Sequence, residues 1–395
     1  MGVTLDVEGW RRRPGMGQLL DALGAADGLI RFVGGAVRDQ LLELAVSDID
    51  FATRLRPDEV VERLRAAGIK AVPTGIEHGT ITAVSNGHPA EVTTLRRDVS
   101  TDGRRATVAF TDDWQEDAAR RDFTINALMA DPVTGELFDY FGGLADIDAR
   151  RVRFIGDPLQ RIAEDHLRIL RFFRFHARFG GADPNSDAVE ACTARANDLM
   201  ALSRERIADE LLKLLAVYDP SPTVELMLGR GILKPVLPEI GAAALPCLRN
   251  LVAAERDSGL QQQALRRLAA LLPADPAVAE RVAARLKLSN HARKRLACAA
   301  SQSVDLEPQA LAYRIGTEGA ADRFLLAGRP ADAAAVAIWV PPRLPIGGGA
   351  LIGRGVAQGP EVARTLARIE QSWVEAGFPT GDEFERIVAN AVGRG

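Results

Sequence analysis

A chain of 395 residues with 47% hydrophobic side chains can bury a large core and exceeds the usual size of one compact domain, so several domains are expected. Its net charge of −4 excludes a global basic field and leaves any nucleic-acid contact to local patches. No apolar run approaches the roughly 18 residues of a membrane-spanning helix, and Cys192, Cys247 and Cys298 lack the paired spacing of a disulfide framework or a zinc ribbon. Arg11, Arg12 and Arg13 precede no apolar segment, so a secretory signal is not expected. A reduced, cytoplasmic compartment follows. Arginine outnumbers lysine, which suits phosphate and base-edge recognition and equally suits a GC-rich genome.

In chain order, residues 29–33, 49–52, 79–84, 90–95 and 106–110 carry apolar and β-branched residues between turn signals and read as strands. Asp131-Pro132-Val133-Thr134-Gly135 reads as a hairpin turn between strands at 127–130 and 137–140. From Leu159 onward the pattern changes to helical period, rich in Ala, Leu, Arg and Glu. Breaks are expected near 180–187, 219–222, 235–246, 272–276 and 341–349, the last being the strongest linker. The fold class is therefore α+β, a mixed or antiparallel sheet with helices followed by an elongated all-helical C-terminal half.

Val33-Gly34-Gly35-Ala36-Val37-Arg38-Asp39 follows the first strand and opens an amphipathic helix. Paired glycines let backbone N–H groups approach a phosphate, with Arg38 placed to grip it, although such a pair also serves as a plain turn. Ser47-Asp48-Ile49-Asp50-Phe51 comes next. On a strand Asp48 and Asp50 face one side while Ile49 and Phe51 face the core. Two hard carboxylates so placed suit Mg²⁺, the alternative being a solvated edge strand. Glu91 adds a third acid, either completing a two-metal cluster or facing solvent on an edge. A phosphate loop close to a metal pair is what nucleotidyl transfer needs.

The order of these motifs resembles the polymerase-beta-like nucleotidyltransferases, specifically class II tRNA CCA-adding enzymes and the related bacterial poly(A) polymerases. Further segments carry the likeness: Glu77-His78-Gly79-Thr80, Glu91-Val92-Thr93-Thr94, Arg120-Arg121-Asp122-Phe123-Thr124-Ile125-Asn126-Ala127, Glu164-Asp165-His166-Leu167-Arg168-Ile169-Leu170-Arg171 and Arg204-Glu205-Arg206-Ile207. The resemblance implies that Gly34, Gly35, Arg38, Arg121, Asp122 and Asn126 contact ribose and triphosphate. It also implies that Asp165 and Arg168 read the incoming base, with Arg171 and Arg174 beside them. Asp165 would accept from the exocyclic amine of C or A, and Arg168 would donate to ring or carbonyl acceptors. Asp165, Arg168 and Arg171, spaced by three, are expected on one side of a single helix. Ser203 is expected as an N-cap, with Arg204 to Ile207 bracing the nucleotide-binding helix. Phe172, Phe173 and Phe175 read as core.

By the same resemblance the chain divides into a catalytic head at 1–150, a base-recognising neck at 151–220, a body at 221–340 and a tRNA-binding tail at 341–395. Arg285, Lys287, Arg293 and Lys294, in the densest basic stretch of the C-terminal half, form a candidate tRNA stripe or a solvated helix surface. The five histidines show no metal-ligand spacing, so a fused phosphohydrolase domain is not expected. The implied activity is Mg²⁺-dependent addition of C, C and A to tRNA from CTP and ATP, with poly(A) synthesis or A-addition alone as the rival activity and a non-catalytic RNA-binding relative as the rival class. Choice between C and A is also assigned to a loop near 101–113. Oligomeric state is not legible.

Overall fold

The computed structural model describes residues 3–101 and 106–393, with side chains at 98–101 and 106–108 left aside. Nine strands are found among these residues: β1 (Ile30–Val33), β2 (Asp50–Thr53), β3 (Lys70–Gly75), β4 (Thr80–Ser85), β5 (His88–Thr94), β6 (Arg96–Thr101), β7 (Ala106–Phe110), β8 (Met129–Ala130) and β9 (Leu137–Phe138). Seven form one mixed sheet in the order β3-β4-β5-β2-β1-β8-β9, and β6 pairs with β7 as a separate ribbon. The expected strands are present, as is the hairpin of β8 and β9; β7 matches its expected bounds and the others are a residue or two shorter or shifted.

Two strands escape the sequence pattern. β3 lies at the sheet edge, carries Pro73 and buries none of its residues, so it offers no alternation to detect. β6 is polar, and together with β7 it shows that the flanks of the expected 101–113 specificity loop form an antiparallel ribbon. Residues 102–105 of that loop lie outside the described residues.

Helix α1 (Gly35–Leu41) leaves the end of β1, and α2 (Trp114–Ala119) packs Trp114 and Ala118 against Val33, Ala52, Leu95 and Met129. After α3 (Pro158–Glu164), α4 (Arg168–Phe179) presents Phe172, Phe173 and Phe175 to the core, exposed by 5% or less. The rings of Phe172 and Phe175 meet Phe123 and Phe154 at centroid distances such as 5.1 Å for Phe123–Phe175 and 5.8 Å for Phe154–Phe172. Burying several aromatics at 150–250 Å² each joins this helix to the sheet layer more firmly than any surface ion pair.

The chain separates into two compact units, residues 1–217 with 222–236 and residues 218–221 with 237–395. Among the described residues of the second, the regular elements are all helices. Helix breaks occur where prolines and glycines announce them: α4 ends at Phe179 and the next helix starts at Ser186, while no helix is assigned between Ala337 and Gly348. No helix among the described residues is long and apolar enough to cross a membrane.

Candidate active site

The antiparallel ladder of β1 and β2 sets Val33 opposite Asp50. Gly34 follows with φ +69°, where an added Cβ would stand 3.1 Å from Nη1 of Arg121, so glycine is required both by the left-handed backbone and by the approach of the guanidinium. On its other side β2 runs parallel to β5, with Phe51 opposite Val92. Glu91 thus enters beside Asp50. β5 is paired on both edges, by β2 and β4, so Glu91 does not lie on an edge strand, although its side chain is exposed.

Ile49 and Phe51 enter the core at 5% and 1% exposure, and Asp50 faces the opposite way, half-buried. Asp48, however, lies outside the strand. β1 turns away at Gly34, leaving residues before Asp50 without a ladder partner, so β2 begins at Asp50. Asp48 is exposed and accepts from Ser47 Oγ at 3.0 Å. Among the described residues no three His, Cys, Asp or Glu side chains are gathered as a ready metal cage. The acids nevertheless feel one another: burial first, then Glu91 and Asp48, push the Asp50 carboxyl up to about 6, with Arg121 opposing.

Asp50 and Glu91 line a cavity of about 570 Å³ together with Gly34, Gly35, Arg38, Arg96, Arg120, Arg121, Asp122, Asn126, Asp165, Arg168 and Arg171. Asp48 instead lines a neighbouring cavity of about 260 Å³ with Arg13 and His88. The cationic wall is held by buried acids. Asp117, 1% exposed, accepts from Arg120 Nε at 2.8 Å and Arg121 Nη2 at 3.1 Å. Asp122 accepts from Asn126 Nδ2 at 2.9 Å and from Arg171 Nε at 2.8 Å. Burial alone would raise the Asp122 carboxyl, but Arg171 and the bond from Asn126 hold it below its ordinary value. Arg38, 6% exposed, donates to Asn126 Oδ1 and to Asp39 and lies 4.2 Å from the Phe179 ring centroid. A continuous chain Arg38, Asn126, Asp122, Arg171 therefore runs along the cavity, with Arg38 locked into it.

Asp165 and Arg168 both reach the cavity, but not from one helix. Asp165 follows α3 in an extended conformation, φ −151° and ψ 107°, and α4 starts at Arg168. The Asp165 side chain accepts from the Leu167 N–H at 3.1 Å and its carbonyl from the Arg168 N–H at 3.0 Å. This local side-chain capping competes with a continuous helix and breaks it. The two residues do not pair with each other. Asp165 Oδ2 accepts from Arg206 Nη2 at 2.7 Å, and Arg168 donates to the Arg161 carbonyl at 2.8 Å and to Glu164. Arg206 is the brace on Asp165, whereas Ser203 occupies the N-cap position of α5 (Arg204–Leu215) without a side-chain capping bond.

Arg174 does not join the cavity. Three residues past Arg171 it has turned by about 60° around the helix, where it bonds Glu210 at 2.6 Å and covers the Phe175 ring. Conversely, Arg96 and Arg120 line the cavity, with Asp117 and Arg161 bonded to the residues behind it, and none of the four stands out as a site residue in the sequence. The signal for two of them is the spacing of Asp117 from Arg120 and Arg121, three and four residues on, an acid preceding bases on one helical face. Arg161 has a similar signal in Glu164, three residues on, whereas Arg96 carries none.

The basic stretch of the second unit is partly consumed internally. Arg285 makes a two-pronged bond to Glu239, both contacts at 2.6 Å. Arg293 approaches Glu280 at 3.8 Å, and Arg295 turns to Asp322 and Glu318. Lys287 and Lys294 are exposed. In the tail, Trp373 is 1% exposed and packs with Leu351, Ile369, Phe384 and Val388, so it is a core residue.

Two family models match the chain: a poly A polymerase head domain over residues 30–153 and a probable RNA and SrmB-binding site of polymerase A over residues 184–243. The mitochondrial CCA tRNA nucleotidyltransferase 1 of Mus musculus is 34% identical, covering 92% of this chain and 87% of its own length. The CCA-adding enzyme of Streptococcus gordonii is 40% identical over 56% of this chain and 54% of its own. Among solved structures, the Bacillus stearothermophilus CCA-adding enzyme in complex with CTP superposes with a TM-score of 0.76 at 26% identity, covering 97% of this chain and 99% of that one.

Proposed function

From the premise that the chain belongs to the family of CCA tRNA nucleotidyltransferases, we propose that it adds C, C and A to the 3′ end of tRNA from CTP and ATP, releasing pyrophosphate. One observation carries this reading. A single cavity of about 570 Å³ holds an acidic edge at Asp50 and Glu91, a glycine turn at Gly34 and Gly35, and the Asp165–Arg168 corner. Relatives of the same fold have been solved with CTP, with ATP and with tRNA.

Transfer in this family is metal-dependent, and the donor set here fits a hard divalent cation, which we propose is Mg²⁺ in a two-metal arrangement. Asp50 is raised to about 6 by burial and its acidic neighbours, a deficit of positive charge that Arg121 offsets only in part. Asp48 and Asp50 would hold the cation, with Glu91 beside them. Bound there, it would neutralise phosphate charge and lower the pKa of the attacking 3′-hydroxyl. Arg120, Arg121 and Arg96 present donors to the triphosphate, and the buried Asp117 keeps the first two oriented. The Gly34–Gly35 turn admits the phosphates to backbone distance.

Asn126 and Asp122 are assigned to the ribose, and Arg38 and Arg171 act by fixing them. Each oxygen of Asp165 has one donor already, from Leu167 or Arg206, and retains a second lone pair for an exocyclic amine of C or A. Arg168 supplies the matching donor. We further assign catalysis to residues 1–150, base reading to 151–220, and tRNA grip to 221–340 and 341–395, with Lys287 and Lys294 as its exposed cations and Arg285 and Arg293 beside them. Cytoplasmic work fits three unbonded cysteines.

The test is incubation with tRNA lacking its CCA end, Mg²⁺ and labelled CTP and ATP, singly and together. Sequential C, C and A incorporation supports the assignment. A alone, or long A tails, overturns it, and so does tRNA binding without incorporation.

A further inference from the structure

We propose that Arg13 is a positioning residue for the acidic edge, acting through the backbone of the segment that carries Asp48. The segment is otherwise poorly tied. α1 ends at Leu41, Glu43 takes a left-handed φ of +57°, and Leu44 returns to the Asp39 carbonyl at 2.8 Å. From Ala45 to Ile49 there is neither helix nor ladder, and β2 begins only at Asp50. Within that stretch one guanidinium spans two consecutive carbonyls, Nη1 of Arg13 donating to Ser47 O at 2.9 Å and Nη2 to Val46 O at 2.6 Å. Among the described residues nothing else donates to those two carbonyls, and Arg13 makes no ion pair that would draw it away.

The clamp itself is anchored at both ends. On one side Trp10, 4% exposed, packs edge-on against Phe32 of β1 at 4.9 Å, and the Arg13 N–H donates to the Trp10 carbonyl at 3.1 Å. On the other, Gly15 has φ +80°, its carbonyl accepts from Ser85 Oγ at 2.8 Å, and an added Cβ would lie 2.9 Å from the Ser85 carbonyl oxygen. Arg13 is thus presented from a turn fixed to β1 and β4. Its fork-shaped donor set matches two adjacent carbonyls as a single ammonium cannot. Held at residues 46 and 47, the chain keeps Asp48 at the mouth of the neighbouring cavity, two residues from Asp50 and near enough for the two carboxylates to repel. Released, only the buried Ile49 side chain would fix it. A displacement of about 1 Å at a reacting group can cost on the order of a hundredfold in rate.

The inference rests on the reading that Asp48 helps hold the cation, so Asp48→Ala is measured alongside Arg13→Ala and Arg13→Lys in the full-length protein. Arg13→Ala is expected to lower kcat at least about tenfold with KM for tRNA and ATP within about twofold, and to raise the Mg²⁺ concentration needed for half-maximal rate. Arg13→Lys should fall between the variant and the wild type. Independently of turnover, Mn²⁺ binding followed by electron paramagnetic resonance should weaken in Arg13→Ala, and the hydrogen-bonded amides of Glu43 and Leu44 should exchange faster while β1 and β5 keep their protection. Unchanged kcat, Mn²⁺ affinity and exchange in Arg13→Ala, with Asp48→Ala inactive, overturns the role of Arg13 alone. Loss of protection across the whole sheet shows a scaffold residue and overturns it too. Full activity of Asp48→Ala overturns the cation reading and the inference with it.

Discussion

The carboxylates of the helical core and the carboxylate at the acidic edge of the sheet are treated in opposite ways. In the helical unit Glu255 and Asp322 are 3% and 0% exposed, and each is met by two guanidinium groups, Arg266 and Arg267 for the first and Arg266 and Arg295 for the second. In the sheet unit Asp50 forms no ion pair among the described residues, and its near neighbours Glu91 and Asp48 are acids. Burying a charge without a partner costs several kcal/mol, so such a group persists where something other than folding requires it. In the same unit Asp117 is buried and Asp122 about 10% exposed, and both are paired with arginines, so the sheet unit does not lack arginines. The omission at Asp50 is local, and it is the expected form of a site completed by a cation.

The comparison breaks most visibly through substitution of its two extremes. Asp50→Asn should reduce nucleotide incorporation on the order of a thousandfold or more, as expected for loss of a charged group acting on the reacting phosphates. The same change removes an uncompensated charge, so the melting temperature should hold or rise. Activity within tenfold of wild type would return Asp50 to an ordinary surface-proximal acid. Asp322→Asn removes the carboxylate shared by Arg266 and Arg295, leaving each its second partner, Glu255 or Glu318, and should cost about 1–3 kcal/mol in urea denaturation, with nucleotide affinity of the folded protein unchanged. A loss below about 1 kcal/mol would mean that the arginines find water, and that the two units do not differ as drawn.

How much of this was legible beforehand follows from where each residue finds its partner. Asp50, Glu91 and the Gly34 turn were readable because strand alternation and a glycine pair are local signals, and the fold class followed from the change of hydrophobic period near Leu159. Arg121, Asp122, Asn126, Asp165 and Arg168 came from resemblance, and the structure adds the bonds that set them. The continuous helix through Asp165 failed because spacing alone cannot reveal that a side chain will cap the following turn in place of extending the preceding one. Arg174 lies about 120° around the helix from Arg168 and turns to Glu210, outside the cavity lining. The clamp of Arg13 on residues 46 and 47 spans more than thirty positions, and β3 is an edge strand with Pro73 and no buried residues. Neither leaves a trace in a sliding window. In the basic stretch at 281–295 the density of charge along the chain says nothing of Glu239 and Asp322, which pair with Arg285 and Arg295.

The smallest effect also gives the most direct reading of the contrast, because it reports the charge on Asp50 without catalysis. In the folded chain the Asp50 carboxyl titrates at about 6 against an ordinary value of 3.8. Between those values the folded state holds a proton that the unfolded chain has lost, so this group favours folding most at low pH. Its contribution declines as pH rises from about 4 to about 6 and is constant above. The full span is no more than about 3 kcal/mol, less after allowing for the part of Asp50 that water reaches. Asp122, held below its ordinary value by Arg171, has the opposite slope, its contribution shrinking as acid protonates it. A raw melting curve would mix the two. Subtracting Asp50→Asn from wild type at each pH in EDTA cancels Asp122 and leaves Asp50, and the difference should fall across that window and then flatten. Excess Mg²⁺ should abolish the fall, because a bound cation favours the ionised carboxylate in the folded state and reverses the sign of its linkage. A difference curve that is level from pH 4 to 7 without Mg²⁺ would show that Asp50 is solvated like any surface acid, and that the contrast with Glu255 and Asp322 reflects exposure alone.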